Sequence, residues 1–208
     1  MLFNPKTGAI IGIIALGLTI GFFVYQESKP PEVTTQTFAE LLKEGNVKKF
    51  NELRKDWSGK LEFVGIDLSG MDLTGINLSS VTFTDANFHR IILAESNLEH
   101  MTFSGNLEES DLSDAFLSHA NLSRTFLRDS NLSGASLAFS NLSNTNLYHV
   151  NFSGTILSKA NLSGADLRHS NFEGSLLYDA DLTNADLRHA YNLPIILDKA
   201  KERGAIVD

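Results

Sequence analysis

A leucine or phenylalanine returns at every fifth residue over more than half of the chain. Nine such positions run from Phe63 to Phe103, and seventeen more run from Leu107 to Leu187, with one residue missing from the spacing at Gly105. A period of five fits neither an α-helix, with roughly 3.6 residues per turn, nor a strand, with a period of about 2. A short fixed repeat instead indicates a solenoid, in which each unit buries its apolar face only against its neighbours.

The residues around each leucine or phenylalanine predict which side chains point inward. The residue two positions earlier is usually small, so it shares the interior with the large residue; examples are Ala115, Ala120, Thr125, Ser130, Ala135, Ser140, Ala160 and Ala165. The residue between them points outward and is usually Asn or Asp, whose short side chain hydrogen-bonds nearby backbone at turns; examples are Asn121, Asn131, Asn141, Asn161, Asp166 and Asp181.

Units such as Ala160-Asn161-Leu162-Ser163-Gly164 and Ala180-Asp181-Leu182-Thr183-Asn184 resemble the pentapeptide-repeat family, and the resemblance covers about 60% of the chain. It implies an all-β solenoid, a right-handed quadrilateral β-helix with four pentapeptides in each coil. About six and a half coils follow, in a rod roughly 30 Å long at a strand spacing of about 4.8 Å.

The segment from Gly8 to Tyr25 is uncharged and mostly apolar, and its 18 residues are just enough to cross a bilayer as a helix. The bulky residues after Gly21 do not suit the cleavage site of a signal peptide. We therefore predict that residues 1–26 form a single-pass transmembrane helix, the anchor of a membrane protein. Lys6 precedes the span, which favours a repeat domain on the non-cytoplasmic side, periplasmic or lumenal.

The remaining boundaries follow from local signals. Thr37 and Glu40 have the spacing of a capping box, Asn46 suits the start of a second short helix, and Pro194 suits the start of a last helix. Helical caps at both ends would cover the open edges of the first and last coils. The predicted parts are a linker at 27–36, an N-terminal cap at 37–60, the β-helix at 61–190 and a C-terminal cap at 191–208.

Three of the six histidines are 20 residues apart and should stack in one column: His149, His169 and His189. A flat outer wall has no concave pocket and no enclosing groups to orient metal ligands. We therefore favour a solvated wall on which Asp and Arg offset one another, and we predict no metal and no cofactor. The alternative is a recognition surface formed by Arg128, His149, Arg168, His169, Arg188 and His189.

A second column carries apolar residues at outward positions where Asn or Asp is the rule. Phe116, Ile156 and Leu176 share one predicted wall, with Ser136 between them and with Phe139 and Tyr178 beside them. A contiguous exposed apolar patch usually marks an interface. We predict a protein interface here; the alternative is that the terminal helix or neighbouring side chains cover part of the patch.

The sequence contains no catalytic triad, phosphate-binding loop or paired carboxylates in a predicted cleft, so we expect no enzyme. The formal net charge is −8, which argues against binding nucleic acid. The favoured function is a membrane-anchored scaffold that binds an unidentified protein or a second copy of itself. The alternative, implied by the family resemblance, is a DNA-mimicking modulator of a type II topoisomerase; the short acidic cluster of Glu108, Glu109 and Asp111 gives it little support.

Overall fold

The computed structural model describes residues 2–4, 9–16, 19–25, 32–194 and 197–208. They belong to two compact units, Met1–Thr34 and Thr35–Asp208. In the first unit, strands β1 (Leu2–Asn4), β2 (Ala9–Leu16) and β3 (Thr19–Tyr25) form an antiparallel sheet in the order β1-β2-β3.

The two strands β2 and β3 occupy positions that were predicted to form a transmembrane helix over residues 8–25. Residues 8, 17 and 18 of that predicted span lie outside the described residues. The physical reason for the difference is residue type, since the segment is rich in isoleucine and ends in Phe22, Phe23, Val24 and Tyr25, which pack well on strands. In the described part of the chain, no helix combines the length and apolarity needed to cross a membrane.

The second unit begins with helices α1 (Thr35–Lys43) and α2 (Val47–Arg54). Helix α1 starts two residues before the predicted cap Thr37, and Gln36 donates a hydrogen bond to Glu40 across its first turn, at 2.9 Å. Gly45 has a left-handed backbone with φ of +66° and ends α1, because its N–H and that of Asn46 bond the last helical carbonyls. The side chain of Asn46 then caps α2 by accepting from the Lys49 N–H at 3.1 Å, as predicted.

These helices seal the first coil of the rod. Phe38, Leu42 and Phe50 are completely buried. The amide of Asn51 donates to the Gly75 carbonyl at 2.9 Å and accepts from the Asn77 N–H at 2.8 Å. Both backbone groups lie in the first coil, which has no preceding coil to pair with them. The cap therefore satisfies an open edge that would otherwise invite pairing with another chain.

The rod is built from parallel backbone pairing between positions one coil apart. Strands β4 (Glu62–Val64), β5 (Thr82–Asn87) and β6 (Thr102–Asn106) form one parallel sheet in that order. Single bridges join residues 20 apart in the later coils, such as Asn121 with Asn141. The repeated leucines and phenylalanines are buried, and buried hydroxyls between them are satisfied, as where Thr155 donates to the Leu132 carbonyl at 2.7 Å. The interior is therefore dry and fully paired at these positions.

The missing residue at Gly105 is absorbed by strand β5. Phe83 pairs with Phe103 at a spacing of 20, but Ala86 pairs with Gly105 at a spacing of 19. The N–H of the extra residue, Asp85, is satisfied by the hydroxyl of Ser104 at 3.1 Å. Gly105 has φ of +137°, and a Cβ there would lie 2.0 Å from the Ala86 carbonyl oxygen. Only glycine fits at this position.

The C-terminal end closes the last coil. Helix α3 spans Leu197–Glu202, and residues 195 and 196 of the helix predicted to start at Pro194 lie outside the described residues. Gly204 ends the helix with φ of +85°. Ile206 then adds a last rung, because its N–H bonds the Ala185 carbonyl at 2.8 Å and its carbonyl accepts from the Leu187 N–H at 2.7 Å.

Replacing Gly105 with alanine is expected to destabilise the rod by about 3 kcal/mol, since the new Cβ forces the backbone of two coils apart. The matched control is Gly70→Ala, at φ of +68° with nothing within 4 Å of the new Cβ, where only the left-handed backbone costs about 1 kcal/mol. Urea unfolding of both variants measures the difference. Equal midpoints would show that the close approach at Ala86 is not a constraint.

Candidate functional site

The rod has four walls, each made of one outward face from every coil. Two of them carry a column of asparagines, and we call these the asparagine walls. In one, Asn131 donates to Asp111 at 3.1 Å and Asn151 donates to Asn131 at 3.0 Å. In the other, Asn141 donates to Asn121 at 3.1 Å. Because each side-chain oxygen also accepts a backbone N–H two residues on, as between Asn131 and Ser133, these amides are committed to holding turns.

The apolar wall consists of residues 115–119, 135–139, 155–159 and 175–179. Backbone bridges join Phe116 to Ser136, Ser136 to Ile156 and Ile156 to Leu176, so the column predicted from the sequence exists. Phe116 and Leu176 are 53% and 56% exposed, and Tyr178 is 71% exposed. Ser118 and Ser136 hydrogen-bond each other at 3.0 Å. The acidic and basic residues of these four segments are Lys159 and Asp179, and each is the last residue of its segment, where the chain turns to the next wall.

The two long edges of the apolar wall differ. One edge is a column of glycines, Gly134, Gly154 and Gly174, whose backbones approach to within 4 Å of the Cβ positions that other residues would fill. The opposite edge is a stack of rings in which His119 lies 5.0 Å from Phe139, nearly parallel to it. The glycine edge begins with Asp114, whose carboxylate lies against the Cβ position of Gly134, and the three glycines after it add no side chain beside the wall.

The ring stack continues into the coil before the apolar wall and ends on a lysine. His100 stacks on His119 at 4.9 Å, and the ammonium group of Lys159 lies 5.3 Å from the centre of the Phe139 ring. Phe139 has φ of +60° and is half exposed. A bulky residue in the left-handed region is costly, because its Cβ crowds the next carbonyl, and glycine or asparagine would be the cheaper choice. The left-handed backbone itself is common to this turn position around the rod, since His119 and Lys159 on the same wall have φ of +61° and +59°.

The charged wall lies opposite the apolar wall and consists of residues 125–129, 145–149, 165–169 and 185–189. Tyr148 lies between two guanidinium groups, those of Arg128 and Arg168, each 5.6 Å from its ring centre. Hydrogen bonds from Arg168 hold the pKa of Asp166 below its usual value, and those from Arg188 do the same for Asp186. The arginines of the predicted recognition column are thus already paired within the wall.

The three stacked histidines lie along one edge of the charged wall. His149 hydrogen-bonds Asp129 at 2.8 Å, His169 lies 4.9 Å from His189 between ring centres, and His189 pairs with Asp208 at 3.3 Å. Within the described residues, no three or more His, Cys, Asp or Glu side chains are grouped so as to hold a metal. The column therefore belongs to a network of neighbouring carboxylates and rings.

The structure brings the five predicted interface residues onto one wall, as counting pentapeptides around the rod predicted: Phe116, Phe139, Ile156, Leu176 and Tyr178. Sequence reasoning missed the stack that joins His100 and His119 to this wall. Their spacing of 19 across Gly105 was a usable signal, because it equals one coil where a residue is dropped. It also missed that Phe126, 53% exposed, interrupts the charged wall.

Comparison with known proteins gives a consistent family signal. A family model for pentapeptide repeats matches eight copies at residues 62–99, 106–137 and 155–191, just over half of the chain. No curated protein sequence matches the chain.

Several solved structures also match the chain at low sequence identity. Full-length QnrB1, a plasmid-mediated fluoroquinolone resistance protein, is 16% identical over 71% of this chain and 91% of its own, with a TM-score of 0.31. The pentapeptide-repeat protein alr5209 from Nostoc is 28% identical over 54% of this chain and 84% of its own, with a TM-score of 0.31. Rfr23 from the cyanobacterium Cyanothece is 20% identical over 77% of this chain and 99% of its own, with a TM-score of 0.23.

The paired carboxylates of the charged wall predict a pH dependence of stability. The pKa values of Asp166 and Asp186 are lowered in the folded state, so their contribution is present above about pH 4 and is lost as the pH falls through the lowered values. The double variant Asp166→Asn/Asp186→Asn lacks this contribution, and asparagine already occupies this column at Asn146. The double variant should melt at a lower temperature than wild type at about pH 6, and this difference in melting temperature should shrink as the pH is lowered to about 2. A constant deficit across that range would contradict the assignment.

Proposed function

Since the chain belongs to the pentapeptide-repeat family, whose members fold as right-handed β-helices, we propose that it is a non-catalytic interaction protein that binds a protein through its apolar wall. One observation carries the proposal. Three of four successive coils expose an apolar residue, Phe116, Ile156 or Leu176, at the position where Asn or Asp serves the turn on the asparagine walls. Tyr178 lies exposed beside Leu176.

The physical argument is that outward residues contribute nothing to the dry interior of the rod. The exposed part of such a leucine or phenylalanine gains no folding energy, while covering it with a partner is worth roughly 25 cal/mol for each Å² of apolar surface removed from water. Aromatic residues such as Phe139 and Tyr178 are enriched at binding hot spots for this reason. Neither the terminal helix α3 nor a neighbouring side chain removes the exposure of Phe116 or Leu176.

A non-catalytic role agrees with the surface chemistry. Two hollows lie at the ends of the rod, one lined by Leu177, Tyr178 and Arg203 and the other by Thr35, Lys43 and Glu62. Neither brings a nucleophile together with an oriented base, which covalent catalysis requires.

The alternative of a DNA-mimicking topoisomerase modulator is less well supported. A mimic of duplex DNA needs acidic side chains along the rod, whereas here Arg128, Arg168 and Arg188 line one wall and the opposite wall is apolar. The net charge of −8 and the rod form are the features in its favour. The apolar wall has no role in such a mimic, and this favours the protein-binding function.

The central test is Ile156→Glu, which places a carboxylate in the middle of the apolar wall. An unpaired charge buried in an apolar interface costs several kcal/mol, so recovery of partners crosslinked in cells and identified by mass spectrometry should fall more than tenfold. Stability should change by no more than about 0.5 kcal/mol, because outward positions tolerate polar residues.

The matched control is Ser133→Glu on an asparagine wall, at the position that Glu173 occupies two coils later. It adds the same charge in a neighbouring coil and should leave partner recovery unchanged. If Ile156→Glu recovers the same partners as the control, the apolar wall is not the binding surface, and the histidine and arginine column of the charged wall becomes the better candidate.

The location of the rod at a membrane is a further part of the proposal, and it rests on the uncharged, mostly apolar residues 8–25. The full-length protein should sediment with membranes after extraction with alkaline carbonate, whereas a chain lacking residues 1–25 should remain in the supernatant. That shorter chain keeps both caps and all coils of the second unit, so its far-ultraviolet circular dichroism should remain β-rich. Sedimentation of the shorter chain with membranes would contradict attachment through residues 8–25.

A further inference from the structure

We infer that the protein bound by the apolar wall is a second copy of this chain, packed antiparallel about a two-fold axis that crosses the wall between Ser136 and Ile156. This inference rests on the proposed function, because it requires the apolar wall to be the binding surface. We infer a second copy because the apolar wall is complementary to itself in shape and charge in that arrangement.

The symmetry fixes which residues face each other. A two-fold axis that lies in the interface and runs across the rods reverses the order of the coils but keeps each long edge on its own side. The four coils of the apolar wall are counted from residues 115–119 to residues 175–179. At a spacing of about 4.8 Å, the first of these four coils faces the partner's fourth, and the second faces the third. Phe116 of one copy therefore faces Leu176 of the other, and Ser136 of one copy faces Ile156 of the other.

The centre of this arrangement pairs a protrusion with a depression. Ser136 and Ala138 are the small residues between Phe116 and Ile156, so the wall has a shallow depression at the second coil and a protruding side chain at the third. In the antiparallel dimer, Ile156 of each copy faces the Ser136 depression of the other. Phe116 of each copy faces Leu176 of the other, which puts the most exposed apolar groups of the column in contact.

The ring-stacked edge is complementary in the same register. His119 in the first coil faces Asp179 in the fourth coil of the other copy, so a ring nitrogen meets a carboxylate. Phe139 faces the ammonium group of Lys159, the same cation–π contact that these two residues make within one chain at 5.3 Å. No pair of like charges is opposed along this edge, which is the condition that a specific interface must meet.

A parallel arrangement of the two copies lacks the shape complementarity of the antiparallel one. A two-fold axis along the rod places each coil against its own copy, so Ile156 meets Ile156 and the two Ser136 depressions face each other across a gap. The apolar centre then loses its fit.

A wall of four coils covers only a few hundred Å², below the roughly 800 Å² per partner of a standard interface, so the dimer is expected to be reversible.

The sequence contains no cysteine, so single introduced cysteines report the register directly. Ser118→Cys lies in the first coil and Tyr178→Cys in the fourth, at equivalent positions of their pentapeptides. In the antiparallel dimer these two face each other, whereas two copies of either single variant are separated by three coils, about 14 Å along the rod. The experiment uses the full chain in mild detergent, with a short bismaleimide as the probe and denaturing electrophoresis as the readout.

A mixture of the two variants is expected to give at least ten times more covalent dimer than either variant alone. Adding Ile156→Glu to both should reduce the yield more than tenfold, and adding Ser133→Glu should not. Dimer formed mainly by each variant alone would show the parallel register and overturn the inference. Yields unaffected by Ile156→Glu would show association elsewhere in the chain and would also overturn it.

The inference and the proposed function fail in distinguishable ways. If no mixture gives covalent dimer while Ile156→Glu still loses the partners crosslinked in cells, the second copy is wrong and the protein-binding wall stands. If the mixture gives no dimer and Ile156→Glu keeps every partner, both are wrong.

Discussion

The structure depends on backbone pairing between coils, because every wall uses its N–H and C=O groups to hold the next coil in place. Leu142 donates to the Asn161 carbonyl at 2.7 Å and Asn141 to the Ala120 carbonyl at 2.9 Å, and the same pattern recurs around the rod. Pairing of this kind leaves two open edges, one at each end. The Asn51 and Arg54 contacts at the first coil and the Ile206 rung at the last coil are consequences of that single constraint.

How much could be predicted from the sequence depends on how directly a pattern reports geometry. The five-residue period fixes which residues point inward, so the positions of Leu142 and of the Phe116 column follow by counting. The period does not report how a deletion is absorbed. Strand β5 takes up the missing residue as an irregularity at Asp85 and Ala86, one coil before the position at Gly105 where the sequence spacing is short. Contacts between coils decide that choice.

The N-terminal segment shows where hydrophobicity stops being informative. A run in which nearly every residue is apolar has neither the period of a helix nor that of a strand, so only its length and composition remain as signals. Length favoured a helix over residues 8–25, whereas the β-branched and aromatic content favours the strands Ala9–Leu16 and Thr19–Tyr25. The two signals conflict, and tertiary pairing between β2 and β3 determines the outcome.

The four walls share one interior and differ only in outward residues, so those residues carry the information about function. On the asparagine walls they stabilise turns, and on the charged wall the Asp–Arg pairs offset one another's charge. The apolar wall does neither of these. Phe139 shares its left-handed backbone with the same turn position in other coils, and half of its ring remains exposed although it stacks on His119. Exposed apolar side chains that serve neither a turn nor an ion pair are explained by contacts that form only when another molecule covers them.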